Sequence, residues 1–330
     1  MTSPPPQDPV GDPAPVGGEA WPRITLVIPS FNQGPYLEGC LRSVLSQNYP
    51  NLEWLVLDGG STDTSPDIIR TYSRHFAYWH IGPDGGQADA IARGWDMATG
   101  EILAWLNSDD FYYPEALAHV ARTFRDNPQI VMLCGTMAIV DRQDNVLRLK
   151  RPPKVSAASL LPWGPVPGQP ATFVRKEVVG ALGGPRIDLH YVLDWELWLR
   201  IALAYPESRV AYSDTILAAS REWDGTKTST AAGRDAAEVR RVLGEIFQKP
   251  DLPPSLAALQ TQALARVWWR QSQSEHAAGA HRRAFASLSR ALRLAPRQFP
   301  VGTILKHCVR IASGSLASGV HGLARSGRIE

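Results

Sequence analysis

The period of the apolar positions changes repeatedly along this chain. Ile24–Ile28 is a short β-branched run closed by Pro29-Ser30. From Tyr36 to Gln47, the residues Leu37, Cys40, Leu41, Val44 and Leu45 recur at i, i+3, i+4, i+7 and i+8, which predicts an amphipathic helix. Asn48-Tyr49-Pro50-Asn51 breaks that helix. Glu53–Leu57 predicts a strand and Gly59-Gly60 a turn. Ser61-Thr62-Asp63 starts a helix that runs to about His75. Next come a strand at Tyr78–Ile81, a Gly-rich loop at Gly82–Gly86, a helix at Gln87–Met97 and a strand at Glu101–Leu106. Pro114 opens a helix reaching about Arg125, and Ile130–Cys134 is another buried strand. Strands alternating with helices predict an α/β domain with a mostly parallel central sheet flanked by helices.

The second half is less regular. Thr136–Val140 and Val146–Lys150 flank Arg142-Gln143-Asp144-Asn145 and predict a hairpin. Residues 151–170 hold six prolines, which suits a long functional loop. A strand is expected at Ala171–Val174, a helix at Val192–Ala204, and strands at Val210–Ser213 and Thr215–Ala219. Beyond Pro250 two helical stripes follow. One is Leu256, Leu259, Ala263 and Val267; the other runs from Ala284 to Ala295 and stops at Pro296. The pair looks like a single helical-hairpin repeat, which cannot bury its own face. The expected division is a disordered Pro-rich lead at 1–22, a main domain at 23–249 and a basic helical extension at 250–330.

Composition adds three constraints. The net charge of +2 implies no nucleic-acid partner, but its distribution is uneven. Residues 250–330 carry 11 Lys/Arg against 3 Asp/Glu, a net of +8, while residues 1–249 sum to −6. The basic segment is either a solvated helical face or a surface that docks peripherally on an anionic membrane. Cys40, Cys134 and Cys308 are odd in number and far apart, which argues against a disulfide framework and suits a reducing, cytoplasmic setting. No basic region precedes an apolar stretch at the amino terminus, so no signal peptide is expected. No uncharged apolar run reaches the roughly 18 residues of a spanning helix.

The chemistry concentrates where strands end in acids. Leu103-Ala104-Trp105-Leu106 runs into Asn107-Ser108-Asp109-Asp110, and Trp54-Leu55-Val56-Leu57 runs into Asp58. Adjacent acids after a buried strand are costly unless a cation neutralises them, and hard divalent cations prefer carboxylate oxygens. Two strands ending this way predict one polar site at the carboxyl edge of the sheet.

Five motifs carry a resemblance. Ile24-Thr-Leu-Val-Ile-Pro-Ser-Phe-Asn32, Ser43-Val-Leu-Ser-Gln-Asn-Tyr-Pro50, Leu57-Asp-Gly-Gly-Ser-Thr-Asp63, Asn107-Ser-Asp-Asp110 and Asp194-Trp-Glu-Leu-Trp-Leu-Arg200 occur in the order found in family-2 glycosyltransferases. The chain resembles that family over about residues 23–230. The resemblance implies a GT-A nucleotide-diphospho-sugar transferase fold, a divalent cation (Mn2+ or Mg2+) and inverting transfer from a nucleotide sugar, UDP-linked by analogy. The implied acceptor is a hydroxyl of a glycan or a lipid-linked glycan of a cell envelope. Membrane spans and a Gln-x-x-Arg-Trp motif are absent, which points to a non-processive enzyme at the inner face of a membrane or free of it.

Residue roles follow from the resemblance. Pro29, Ser30, Asn32, Asp58 and Gly60 would line the nucleotide, with Asp58 accepting from a base N–H or else holding the Asp-Gly-Gly turn. In Gly82–Ala90 a Gly-rich turn enters a helix, and Asp89 and Arg93 would contact the donor. Asp109 and Asp110 would hold the metal, while Asn107, standing where an acid is commoner, and Ser108 would touch the donor. Asp194 would be the catalytic base, with Glu196 the second choice and helix capping the alternative for Asp194. Trp195 would stack on the acceptor sugar, and Trp198 would be core. In Arg221-Glu222-Trp223-Asp224-Gly225-Thr226-Lys227-Thr228, Arg221 and Lys227 would clamp the diphosphate, and Trp223 stands where His is usual. The substitutions at Ala92, Asn107 and Trp223 leave open a non-catalytic sugar-nucleotide or glycan-binding protein on the same fold. A dinucleotide-dependent oxidoreductase is disfavoured, because no Gly-x-Gly-x-x-Gly turn follows the first strand.

Overall fold

The computed structural model describes residues 21–223 and 233–325, with side chains described to residue 313. Most of the expected disordered lead, Lys227 and its neighbours, and the last five residues lie outside the described residues.

Among the described residues the strands are β1 (Ile24–Ser30), β2 (Leu52–Asp58), β3 (Tyr78–Ile81), β4 (Ile102–Trp105), β5 (Phe111–Tyr112), β6 (Met132–Val140), β7 (Val146–Lys150), β8 (Thr172–Arg175) and β9 (Val210–Arg221). The helices are α1 (Gly34–Leu45), α2 (Ser65–Tyr72), α3 (Gln87–Met97), α4 (Ala116–Asp126), α5 (Ala157–Leu160), α6 (Lys176–Leu182) and α7 (Leu193–Ala204). They continue as α8 (Arg234–Phe247), α9 (Pro254–Ala257), α10 (Gln260–Ala277), α11 (His281–Leu294) and α12 (Val301–Arg325). The chain divides into two compact bodies. One comprises residues up to 154, 167–188 and 204–222; the other comprises 155–166, 189–203 and 223 onward.

The first body holds the sheet, ordered β3-β2-β1-β4-β8-β6-β9-β5, with β7 beside β6. Strands β3, β2, β1 and β4 are parallel, as the βα alternation requires. Beyond β4 the sheet is mixed. β8 runs antiparallel to both β4 and β6, while β9 runs parallel to β6. The carboxyl ends of β1–β4 and β9 therefore share one edge.

Helices cover both faces of the parallel half, so β1 is buried along its whole length and reads as a continuous apolar run. Cys40 and Cys134 are buried in this body. The two short strands expected on either side of Gly135 are one strand, β6. A Cβ at Gly135 would lie 2.3 Å from Leu217 Cδ1, so glycine lets β9 close in where the register shifts. At the opposite edge, buried Glu53 accepts from Thr25 Oγ1 at 2.5 Å, and from Thr99 Oγ1 and the Thr99 N–H, each at 2.6 Å.

The second body is helical. Trp269, Ala284, Leu288, Ala291 and Ile311 form its small core, where Trp269 stacks on Phe299 at 4.5 Å. The expected helical hairpin is α10 and α11, and α12 adds a third helix to it. Trp268 receives the Arg240 and Arg290 guanidinium groups at 4.2 and 4.6 Å from its ring. No described helix is long and apolar enough to cross a membrane.

Candidate active site

The loops after β1 and β2 are stitched together at the carboxyl edge. Asn32 takes a left-handed φ of 51° and accepts the Thr62 N–H at 2.9 Å, while its own N–H donates to Ser61 Oγ at 2.7 Å. Asp63 receives the Gly34 N–H at 2.8 Å and the Ser65 N–H at 2.9 Å, so it serves the starts of α1 and α2 together. Burial opposes ionisation of Asp63, but these N–H bonds and the Ser65 hydroxyl outweigh it and hold its carboxyl below the ordinary value.

Ser30 ends β1 opposite Asp58 in the parallel register, and Pro29 is buried beside it. The Ser30 hydroxyl is buried and has no protein hydrogen-bond partner. A buried orphan hydroxyl at a ligand-binding edge is a cost that a bound molecule would remove. Asp58 is fully buried, and its contacts are those of the turn-holding alternative. Its Oδ1 accepts the N–H groups of Gly60 and Ser61 at 3.1 and 2.7 Å, and its Oδ2 accepts the Ser61 hydroxyl at 2.6 Å. Gly60 has φ 86° and packs on Pro83, which brings the β2 turn against the Gly-rich loop. That loop is closed by its own acids. Asp84 accepts the Gly86 N–H at 2.7 Å, and Asp89 accepts the Gly85 N–H at 3.1 Å. Two N–H groups expected to meet an anion are thus engaged already. Arg93 stands one helical turn on, 3.8 Å from Asp89.

The acid pair after β4 is not a pair of equivalents. Asp109 is partly exposed, whereas Ser108 and Asp110 are buried. Asp110 accepts the Arg221 N–H at 3.0 Å and the Asn107 amide at 3.1 Å. Burial, and then the neighbouring Asp109 charge, push the Asp110 carboxyl well above the ordinary range, against the hydrogen bonds from Arg221, Asn107 and Ser220. Asn107 is the hub of an amide relay. Gln87 donates to its Oδ1 at 2.6 Å, its amide also donates to Gln169 at 3.3 Å, and Gln169 donates to the Trp105 carbonyl at 2.7 Å. Gln169 was not among the expected site residues. The only signal for it was the Pro-rich loop in which it lies.

Arg221 departs from its expected role as a diphosphate clamp. Its guanidinium is buried and bonds the carbonyls of Asp109, Asp141 and Arg142 and the Asp144 carboxylate. It also lies 4.7 Å from the Tyr36 ring. Its donors fasten the β6–β7 turn to the acidic motif.

In the second body, Asp194 is partly exposed in the first turn of α7. Glu238 of α8 accepts the N–H groups of His190, Tyr191 and Val192 at 2.8, 2.7 and 3.2 Å, and so fixes the segment leading into that turn. Nothing in the local sequence pointed to Glu238. Two expectations here are corrected. Glu196 is buried and held in a fork by Arg200, at 2.8 Å from Nε and 2.9 Å from Nη2, so it is committed to a partner on its own helix. Trp195 is core and donates its indole N–H to the Leu160 carbonyl at 3.0 Å, so it offers no open face to a sugar. Trp198 is core, as expected.

A divalent cation fits the donor chemistry after β4: the hard oxygens of the partly exposed Asp109 and Asn107, next to a second, buried acid. Among the described residues, no group of three or more His, Cys, Asp or Glu side chains could hold a metal by itself. So few protein oxygens suit a cation whose shell is completed by phosphate oxygens and water.

Residues 25–182 match the family described as Glycosyl transferase family 2. An uncharacterized glycosyltransferase of Mycobacterium tuberculosis is 31% identical over 184 residues, 55% of this chain and 70% of the relative. A PGL/p-HBAD biosynthesis glycosyltransferase of Mycobacterium bovis is 28% identical over 213 residues, 62% of this chain and 79% of that one. Among solved structures, S. aureus TarS 1-349 in complex with UDP matches with a TM-score of 0.60 at 17% identity, over 93% of this chain and 92% of that one. A mannosyltransferase from Pyrobaculum calidifontis in complex with GDP-Man and Mn2+ matches with a TM-score of 0.56 at 22% identity, over 94% of this chain and 89% of that one. These likenesses identify the fold as GT-A.

Proposed function

The chain belongs to glycosyl transferase family 2, and from that premise we propose a metal-assisted, inverting transfer of a sugar from a nucleoside-diphosphate donor to an acceptor hydroxyl. The observation that carries the reading is the Asn107–Asp110 motif at the carboxyl edge of the parallel strands. There Asp109 alone of the acid pair reaches solvent, and the Ser30 hydroxyl is buried without a partner.

In this reading Asp109 would hold a divalent cation, with Asn107 beside it. The cation, when bound, supplies charge stabilisation for the departing nucleoside diphosphate. Asp110 does not face the donor but anchors the motif through Asn107 and the Arg221 N–H. Ser30 gives its hydroxyl to the donor, and the turn held by Asp58 presents Gly60 and Ser61 to it. Asp194 takes the acceptor's proton as the acceptor oxygen attacks the anomeric carbon. The amide relay through Gln87, Asn107 and Gln169 keeps the motif in one orientation without adding a third negative charge.

The test is release of nucleoside diphosphate from a panel of nucleotide sugars with Mn2+ or Mg2+, beside Asp109→Ala. Release from one donor that needs metal and is lost in the variant supports the reading. Metal-independent release, or full activity of the variant, overturns it.

A further inference from the structure

One surface of the second body is unaccounted for by sugar transfer. On α12, Val301, Leu305 and Val309 are 71%, 60% and 66% exposed. They stand at i, i+4 and i+8, which places them along one stripe of the helix. The buried face of the same helix lies elsewhere, through Ile311 and the partly buried Ile304 and Cys308, which pack on the small core. The apolar stripe therefore faces out from a helix whose other side already holds it in place. Lys306 and Arg310 are exposed one turn apart on the same helix. The surrounding segment, 250–330, has a net charge of +8, and Glu275, one of its three acids, is buried.

We propose that this face of α12 docks on an anionic lipid bilayer, lying in the interfacial plane with Val301, Leu305 and Val309 inserted and Lys306 and Arg310 at the headgroups. A helix with an exposed apolar stripe beside basic side chains, and too little hydropathy to span, has the physics of an interfacial helix. Charge complementarity selects the occupant. A second copy of this chain would bring one +8 segment against another, which costs free energy, whereas an anionic surface attracts both. The proposal does not depend on the donor, on the metal or on any catalytic residue.

Co-sedimentation of the full chain with phosphatidylglycerol-rich vesicles, against phosphatidylcholine vesicles, tests it. The chain should pellet with the anionic vesicles and be released by raised salt. Lys306→Gln with Arg310→Gln should weaken binding by roughly fivefold per charge removed. Val301→Ser, Leu305→Ser and Val309→Ser together should weaken it by about tenfold or more, with an unchanged melting curve because these side chains are exposed. Failure of the wild-type chain to pellet, or equal pelleting of the triple variant, overturns the proposal. So does a dimer mass by light scattering, without lipid, that the triple variant converts to monomer, because a second copy then covers the stripe.

Discussion

Two acid pairs, Asp109–Asp110 after a strand and Asp194 with Glu196 at the start of a helix, divide their exposure in the same way. After β4, Asp110 is buried and bonded by Asn107 and the Arg221 N–H, while Asp109 is partly exposed. In α7, Glu196 is buried and forked by Arg200, while Asp194 is partly exposed. In both places a carboxylate taken from water is matched by donors of the protein, and its neighbour keeps part of its surface exposed. The means differ. The strand motif draws its donors from a backbone N–H and an amide more than a hundred and three residues away, respectively, in either direction of the chain. The helical pair closes on itself over one turn. The lesson is that adjacency in sequence does not make two acids chemical equals.

The comparison breaks first on activity. Asp109→Asn and Asp194→Asn should each cost about 10²–10⁴ in the rate of transfer while leaving the melting curve near wild type. Steady-state kinetics beside calorimetry decides this, and a variant that retains activity removes that acid from the site.

The buried partners should show the opposite signature. Glu196→Ala leaves the Arg200 cation without its fork and should cost about 3 kcal/mol, the lower end of the range for a broken buried ion pair because Arg200 keeps some solvent. Asp110→Asn turns an acceptor toward the Arg221 N–H into a group half of which is a donor, and should cost about 1–3 kcal/mol. Urea denaturation measures both, and activity should track the folded fraction.

A smaller effect sharpens the contrast with a carboxylate that has no ligand to meet. Burial raises Glu53, but the Thr25 and Thr99 hydrogen bonds and Arg23 outweigh it and hold its carboxyl below its ordinary value. An acid whose folded value is lowered contributes stability that is present above its unfolded value and is lost as pH falls through the folded one. Glu53→Gln should therefore lower stability at neutral pH and flatten its decline below about pH 4.5, read from melting curves across that window. Trp195→Phe separates the two roles given to that ring. It removes the hydrogen bond to Leu160 and leaves a cavity where the larger ring packed, and should cost about 2–4 kcal/mol with no change in KM for the acceptor.

Much of the fold was legible because it rests on local periodicity. Helices α1 and α3 and strands β1, β2 and β3 fall within two residues of the apolar pattern that announced them. The misses share a cause. Gly135 reads as a break but is the point where β6 and Leu217 approach each other, a contact across about eighty residues. Trp195 and Glu196 sit in a motif rich in chemistry. Their fate depends on Leu160, thirty-five residues back, and on a rotamer of Arg200. Gln169 and Glu238 bond groups distant in the chain and carry no local mark.

The sequence by itself determined the alternation of elements, the acid-ended strands and the family, because each is written in spacing over a few neighbouring residues. Only the tertiary structure decided which member of each acid pair is exposed and that Arg221 fastens a turn. It alone showed that Asp58 holds its own loop and that one stripe of α12 is left uncovered. Those outcomes depend on burial and on which donors and apolar faces meet when the chain packs, and for Arg221 and the α12 stripe the deciding neighbours lie far away in the sequence.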